Sequence, residues 1–93
     1  MDKYDLLLLD IVHNYKENGL KMNISLNQME KMFWNRIESE ENLTLSQARI
    51  GERITRLYLD DMLENKGGYC LTKKGRMSLT EKALQTRENV HTN

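Results

Sequence analysis

Apolar residues at helical spacing, Ile50, Ile54, Leu57, Tyr58 and Met62, constrain this 93-residue chain more than any other feature. At about 100° per residue they fall on one continuous arc, with Ala48 and Leu59 at its edge, and so define a buried helix face. Thr44-Leu45-Ser46-Gln47 stands just before them. In that S/T-x-x-Q order the cap hydroxyl accepts from an orphan amide and the glutamine reaches back to the cap. The spacing therefore predicts a long helix over about 45–65. Arg49, Arg53 and Arg56 would project together, within an arc of roughly 60°, on the polar side. Asp60 lies on the same stripe and Glu64 near it, so ordinary surface pairing is the alternative to ligand contact.

Lys66-Gly67-Gly68 should end that helix, since glycine takes the left-handed conformation that closes a helix C-terminus. Tyr69-Cys70-Leu71-Thr72 and Arg76-Met77-Ser78-Leu79 then suit two short strands around Lys73-Lys74-Gly75. The tip of such a hairpin, over about 69–79, carries Lys73, Lys74 and Arg76. A charged tip can serve a partner or simply protect a free sheet edge.

Leu63-Glu64-Asn65-Lys66-Gly67-Gly68-Tyr69, followed by Gly75-Arg76-Met77-Ser78-Leu79-Thr80-Glu81-Lys82-Ala83, resembles the recognition-helix end and wing of winged-helix transcription regulators. Among these are small members related to the multiple-antibiotic-resistance and phenolic-acid-decarboxylase regulator groups. In them a leucine, a short gap, a glycine and an aromatic residue lead to a wing ending in Leu-Thr-Glu-Lys-Gly; here Ala83 replaces the last glycine. The resemblance covers roughly half the chain. It implies a mainly α winged helix-turn-helix fold, with a three-helix core, a small β-hairpin wing and a C-terminal helix. It also implies a homodimer, with double-stranded DNA contacted by Gln47, Arg49, Arg53 and Arg56 of the third helix and by Lys73, Lys74 and Arg76 of the wing.

The remaining sequence is scaffold. Tyr4, Leu7, Leu8, Ile11, Val12 and Tyr15 predict a first helix from about Lys3 to Asn18, capped by Asp2 and stopped at Gly19. Leu6 and Leu9 lie off that stripe, as flank residues of one core or as candidates for a dimer interface. Ser25 and Gln28 form a capping box, and Ile24 with Met29 has the spacing of a hydrophobic staple. The second helix, ending near Glu38, would bury Leu26, Met29, Met32 or Phe33, and Ile37. Trp34 lies beside this stripe, as core or interface anchor. Met22-Asn23-Ile24 is a candidate for a short third strand paired with the wing. After Thr80 the last helix turns Leu84 and Ala83 inward, giving one domain over 1–84 and a polar, frayed tail over 85–93.

Lys plus Arg and Asp plus Glu number 14 each, which argues against a protein that coats nucleic acid through bulk charge. The halves differ: residues 1–45 hold 5 basic and 8 acidic side chains, residues 46–93 hold 9 and 6. The positive half contains the proposed reading surface. Acids at Glu38, Glu40 and Glu41 would repel a phosphate backbone. Leu6-Leu7-Leu8-Leu9 is too short to span a membrane. A single cysteine allows no internal disulfide, and a reducing cytoplasm is the default.

Catalytic patterns are lacking. His13 and His91 are isolated, Cys70 has no ligand partner at metal spacing, and Asp60-Asp61 point about 100° apart. No enzyme activity, cofactor or metal is expected. Three readings follow: a homodimeric regulator that places Arg49, Arg53 and Arg56 in the major groove; a winged-helix module that binds another protein, as an accessory or anti-regulatory factor of a mobile element; and a DNA-binding subunit acting in replication or partitioning.

Overall fold

Asp2 sets the start of helix α1 (Lys3–Asn14) by accepting from the amides of Tyr4 and Asp5, while the Asp5 carboxylate accepts from the Asp2 amide. This reciprocal box satisfies amides that a helix N-terminus otherwise leaves unpaired. The computed structural model describes the backbone of residues 1–91, with side chains for all of these except Leu45 and residues 83–91.

α1 ends at Asn14 rather than Asn18, because Asn18-Gly19 is a hairpin turn. Strands β1 (Lys16–Glu17) and β2 (Leu20–Lys21) pair antiparallel around it. Asn18 and Gly19 both have positive φ, 53° and 78°. Asn-Gly is the pair that such a two-residue turn favours.

Helix α2 (Leu26–Glu38) starts at Ser25, whose Oγ accepts from the Gln28 amide at 3.2 Å. Met29, Phe33 and Ile37 are buried as expected, and Ile24 meets Met29 in the core. Leu26 is exposed, since a first-turn residue lies outside the packed part of the helix. Trp34 is half-buried and stacks on Phe33 with ring centroids 6.4 Å apart. Ser25→Ala should cost about 1 kcal/mol of stability, measured by urea denaturation. An unchanged midpoint would show that this cap contributes nothing.

The long helix expected over 45–65 is three elements. A single turn, α3 (Leu45–Ala48), is followed by Arg49 in the left-handed region (φ 42°, ψ 53°) and then by α4 (Ile50–Leu59). The Thr44 side chain makes no cap bond. Tyr4 instead takes the part expected of the Gln47 side chain: its Oη accepts from the Thr44 amide at 2.9 Å and donates to Gln47 Oε1 at 3.4 Å. α4 closes with Asp61 at φ 61°. The Met62 amide donates to the Leu57 carbonyl (2.9 Å) and the Asp61 amide to that of Tyr58 (3.1 Å). These two bonds form a Schellman motif, here with aspartate where glycine is usual.

The hairpin is therefore displaced from its expected place. Strands β3 (Leu63–Asn65) and β4 (Tyr69–Leu71) pair Leu63 with Leu71, Glu64 with Cys70 and Asn65 with Tyr69. Lys66-Gly67-Gly68 is the turn between them. Gly67 and Gly68 have φ of 66° and 133°, which explains both glycines. Helix α5 (Lys73–His91) begins seven residues before Thr80 and includes residues 85–91 of the expected tail. The inward turn expected of Ala83 and Leu84 lies outside the described side chains.

The third strand is present as one bridge. Ile24 and Tyr69 exchange both backbone bonds, at 3.0 and 2.7 Å. The core gathers around α1, against which α2, β4 and α5 all pack. Leu8, Leu9, Ile24, Met29, Phe33, Leu57 and Leu63 are fully buried. Leu9 is thus a core residue and is unavailable to a dimer interface, because three elements enclose α1. Leu6 is half-buried. Among the described residues no helix is long and apolar enough to cross a membrane.

Candidate nucleic-acid interface

The three arginines of the third-helix region do share one side, but that side is the margin of the buried face. Arg53, Ile54 and Leu57 are buried and Ile50 is half-buried, whereas Tyr58 and Leu59 are exposed. The buried arc of α4 is rotated toward Arg53 by roughly half a residue step from the arc centred between Ile54 and Tyr58. The centre of the exposed face is then Gly51, Glu52, Thr55 and Leu59.

Arg53 is the largest departure from expectation. Its side chain is only 7% exposed. Nη1 donates to Asp2 Oδ1 at 2.6 Å and Asp5 Oδ1 at 3.0 Å; Nε donates to the Ala48 carbonyl at 2.8 Å and Nη2 to that of Gln47 at 3.0 Å. The guanidinium lies 5.0 Å from the centre of the Tyr4 ring. The rigid fork of arginine suits such a set of acceptors. Arg53 therefore ties the start of α1 to the last carbonyls of α3 and cannot read a base. Burial raises the Asp2 carboxyl pKa, but the bonds from Arg53 and from the Asp5 and Tyr4 amides outweigh that and hold it below the ordinary value.

Arg49 and Arg56 remain outward. Arg56 Nη2 donates to Asp5 at 3.1 Å with its side chain 56% exposed, and Arg49 lies 4.0 Å from Glu52 with 71% exposed. With Asp2, Tyr4, Ser46, Gln47, Glu52 and Arg53 they line an open cleft of about 330 Å³. Three guanidinium groups here face the carboxylates of Asp2, Asp5 and Glu52. The surface is polar and rich in donors without being strongly positive.

Lys73, Lys74 and Arg76 do not form a hairpin tip. They occupy the first turn of α5, where Lys74 Nζ donates to the Asp60 carbonyl at 2.9 Å and Arg76 Nη1 to that of Leu71 at 3.1 Å. Lys74 is thereby fixed at the C-terminal end of α4, about 15 Å along the helix from Arg49. The cation at the true turn is Lys66, exposed beside Glu64. Its place was readable from Gly67-Gly68, a turn signal between two β-prone runs. Asp2, Tyr4 and Asp5 had no local signal as partners of Arg53.

No family model matches this chain, and no curated protein or solved structure does either. Among the described residues no cluster of three or more His, Cys, Asp or Glu could hold a metal ion. Burial, with Glu64 nearby, pushes the Cys70 thiol pKa up, which disfavours the reactive thiolate.

Proposed function

We propose that this chain is a winged helix-turn-helix domain that binds double-stranded DNA as a cytoplasmic transcription regulator, with α3–α4 entering the major groove. The observation that carries this reading is the Ile24–Tyr69 bridge. It joins the segment before α2 to the β3–β4 hairpin, as the small sheet of a winged helix requires. The contact set is Ser46, Gln47, Arg49, Thr55 and Arg56, with Lys66 of the wing on phosphate. Arg53 positions these residues from below. Homodimerisation would use Leu6, which is half-buried on α1, without Leu9, which belongs to the core.

The exposure of Tyr58 and Leu59, at 52% and 75% on the same helix, favours a second reading as a protein-binding module. One experiment separates the two. Fluorescence anisotropy of a labelled random duplex at two salt concentrations should show salt-sensitive binding, with a log–log slope of about −1 from Lys66 on phosphate, steepening toward −3 where Arg49 and Arg56 also neutralise phosphates. Arg49→Ala/Arg56→Ala/Lys66→Ala should weaken it at least tenfold and flatten the slope. Full affinity in that variant would remove this surface from the account. No binding by the folded wild type at low salt would favour the protein-binding module.

A further inference from the structure

A second cavity, of about 260 Å³, lies between the C-terminal part of α1 and the two hairpins, and shares no lining residue with the α3–α4 cleft. Its walls include His13, Lys21, Asn23, Glu64, Lys66 and Arg76. Three cations therefore face one carboxylate, and that carboxylate is already 3.6 Å from Lys66 Nζ. Arg76 donates one N–H to the Leu71 carbonyl, and neither it nor Lys21 has an ion-pair partner among the described residues. Val12, Met22, Cys70 and Leu71 complete the lining. Two cations without a counter-ion at one recess favour an anionic ligand.

One side of the cavity is held by the chain's own contacts. Asn23 Nδ2 donates to the Lys66 carbonyl at 2.8 Å, and Gly68 packs so closely on Asn23 that an added Cβ would lie 2.9 Å from the Asn23 Cβ. The Ile24–Tyr69 bridge holds the same seam. A preformed, cation-lined cavity of this volume suits one small group rather than a polymer. The free edge of the Arg76 guanidinium suits a pair of oxygens.

We propose that this cavity binds a small oxyanion with at least two charged oxygens, held by Lys21 and Arg76. The proposal does not rest on DNA binding and is tested on the protein alone. The full chain is titrated with inorganic phosphate, and separately with succinate, at constant ionic strength, while NMR follows the backbone amides and the His13 ring. Saturable shifts confined to His13, Asn23 and the Lys66–Cys70 segment are expected with at least one probe. The preferred probe distinguishes a tetrahedral phosphate from a dicarboxylate. Lys21→Gln/Arg76→Gln should weaken binding at least tenfold, and Arg49→Gln should leave it unchanged. If the double variant unfolds, Lys21→Gln alone, on an exposed strand, should weaken it several-fold. No saturable shift with either probe, equal shifts around Arg49 and Arg56, or full affinity in a folded Lys21 variant would overturn the assignment.

Discussion

Arg53→Ala should destabilise the domain by about 3 kcal/mol, near the lower end of what removing one partner of a buried ion pair costs. The side chain is almost wholly enclosed and meets four acceptors: the carboxylates of Asp2, which caps α1, and of Asp5 in its first turn, and two carbonyls at the end of α3. Truncation leaves the Ala48 and Gln47 carbonyls without those bonds and Asp5 buried. The loss is moderated because Arg56 still reaches Asp5 at 3.1 Å, and Asp2 is half-exposed and can turn to water. Arg53→Lys should recover less than half, since one ammonium cannot span acceptors that a planar fork reaches from three nitrogens. Urea denaturation with a fixed m-value gives the measurement. A loss below about 1 kcal/mol would mean that the Arg53 bonds are offset by the cost of burying its charge.

The same cluster sets a direction for acid sensitivity. The folded Asp2 pKa is depressed, so its contribution to stability is complete above the unfolded value near 3.8 and disappears as pH falls through the lower folded value. Arg53→Ala removes the main bond that lowers that pKa and should flatten this limb of the stability profile. The contrast with a base-reading arginine is direct. A reader at position 53 would lose DNA affinity with its stability intact, whereas a positioning residue loses stability first.

Where local chemistry determined an element, the sequence carried it. Asp2 and Ser25 cap the helices they precede, Ile24 meets Met29 in the core, and Leu57 is buried on the periodic face. Misplacements arose where a distant group decided the outcome. The carboxylates that draw Arg53 inward lie 48 and 51 residues away in sequence, and they rotate the buried arc of α4 toward it. Tyr4 accepts from the Thr44 amide from 40 residues away, in place of the Gln47 side chain. The displaced hairpin has a different origin. Asp61 ends α4 in a conformation that glycine usually supplies, so the first stop seen in sequence was Gly67-Gly68 and the strand Leu63–Asn65 was absorbed into the helix. That one shift carried Lys73, Lys74 and Arg76 from a wing tip into the first turn of α5.

Gly75→Ala offers the sharpest test of that corrected placement, because helix propensity and packing predict opposite signs. In a helix, alanine is favoured over glycine by up to about 1 kcal/mol. At Gly75, however, an added Cβ would overlap the Met62 carbonyl oxygen and lie 3.1 Å from its carbon. Those are backbone atoms and cannot rotate aside. The same carbonyl accepts from the Thr72 amide at 3.1 Å, and the Gly75 amide donates to Thr72 Oγ1 at 3.0 Å. Relieving the clash would thus pull the first turn of α5 off the segment linking α4 to β3. A net loss of about 3 kcal/mol is expected, at the upper end of overpacking costs. Gly51→Ala, in α4 with nothing within 4 Å of its added Cβ, should instead stabilise by roughly 0.5 kcal/mol. Thermal or urea unfolding of the two variants reads the signs directly. Stabilisation at both positions would show that α5 does not abut Met62, and with it would fall the assignment of Leu71–Gly75 to the entry of that helix.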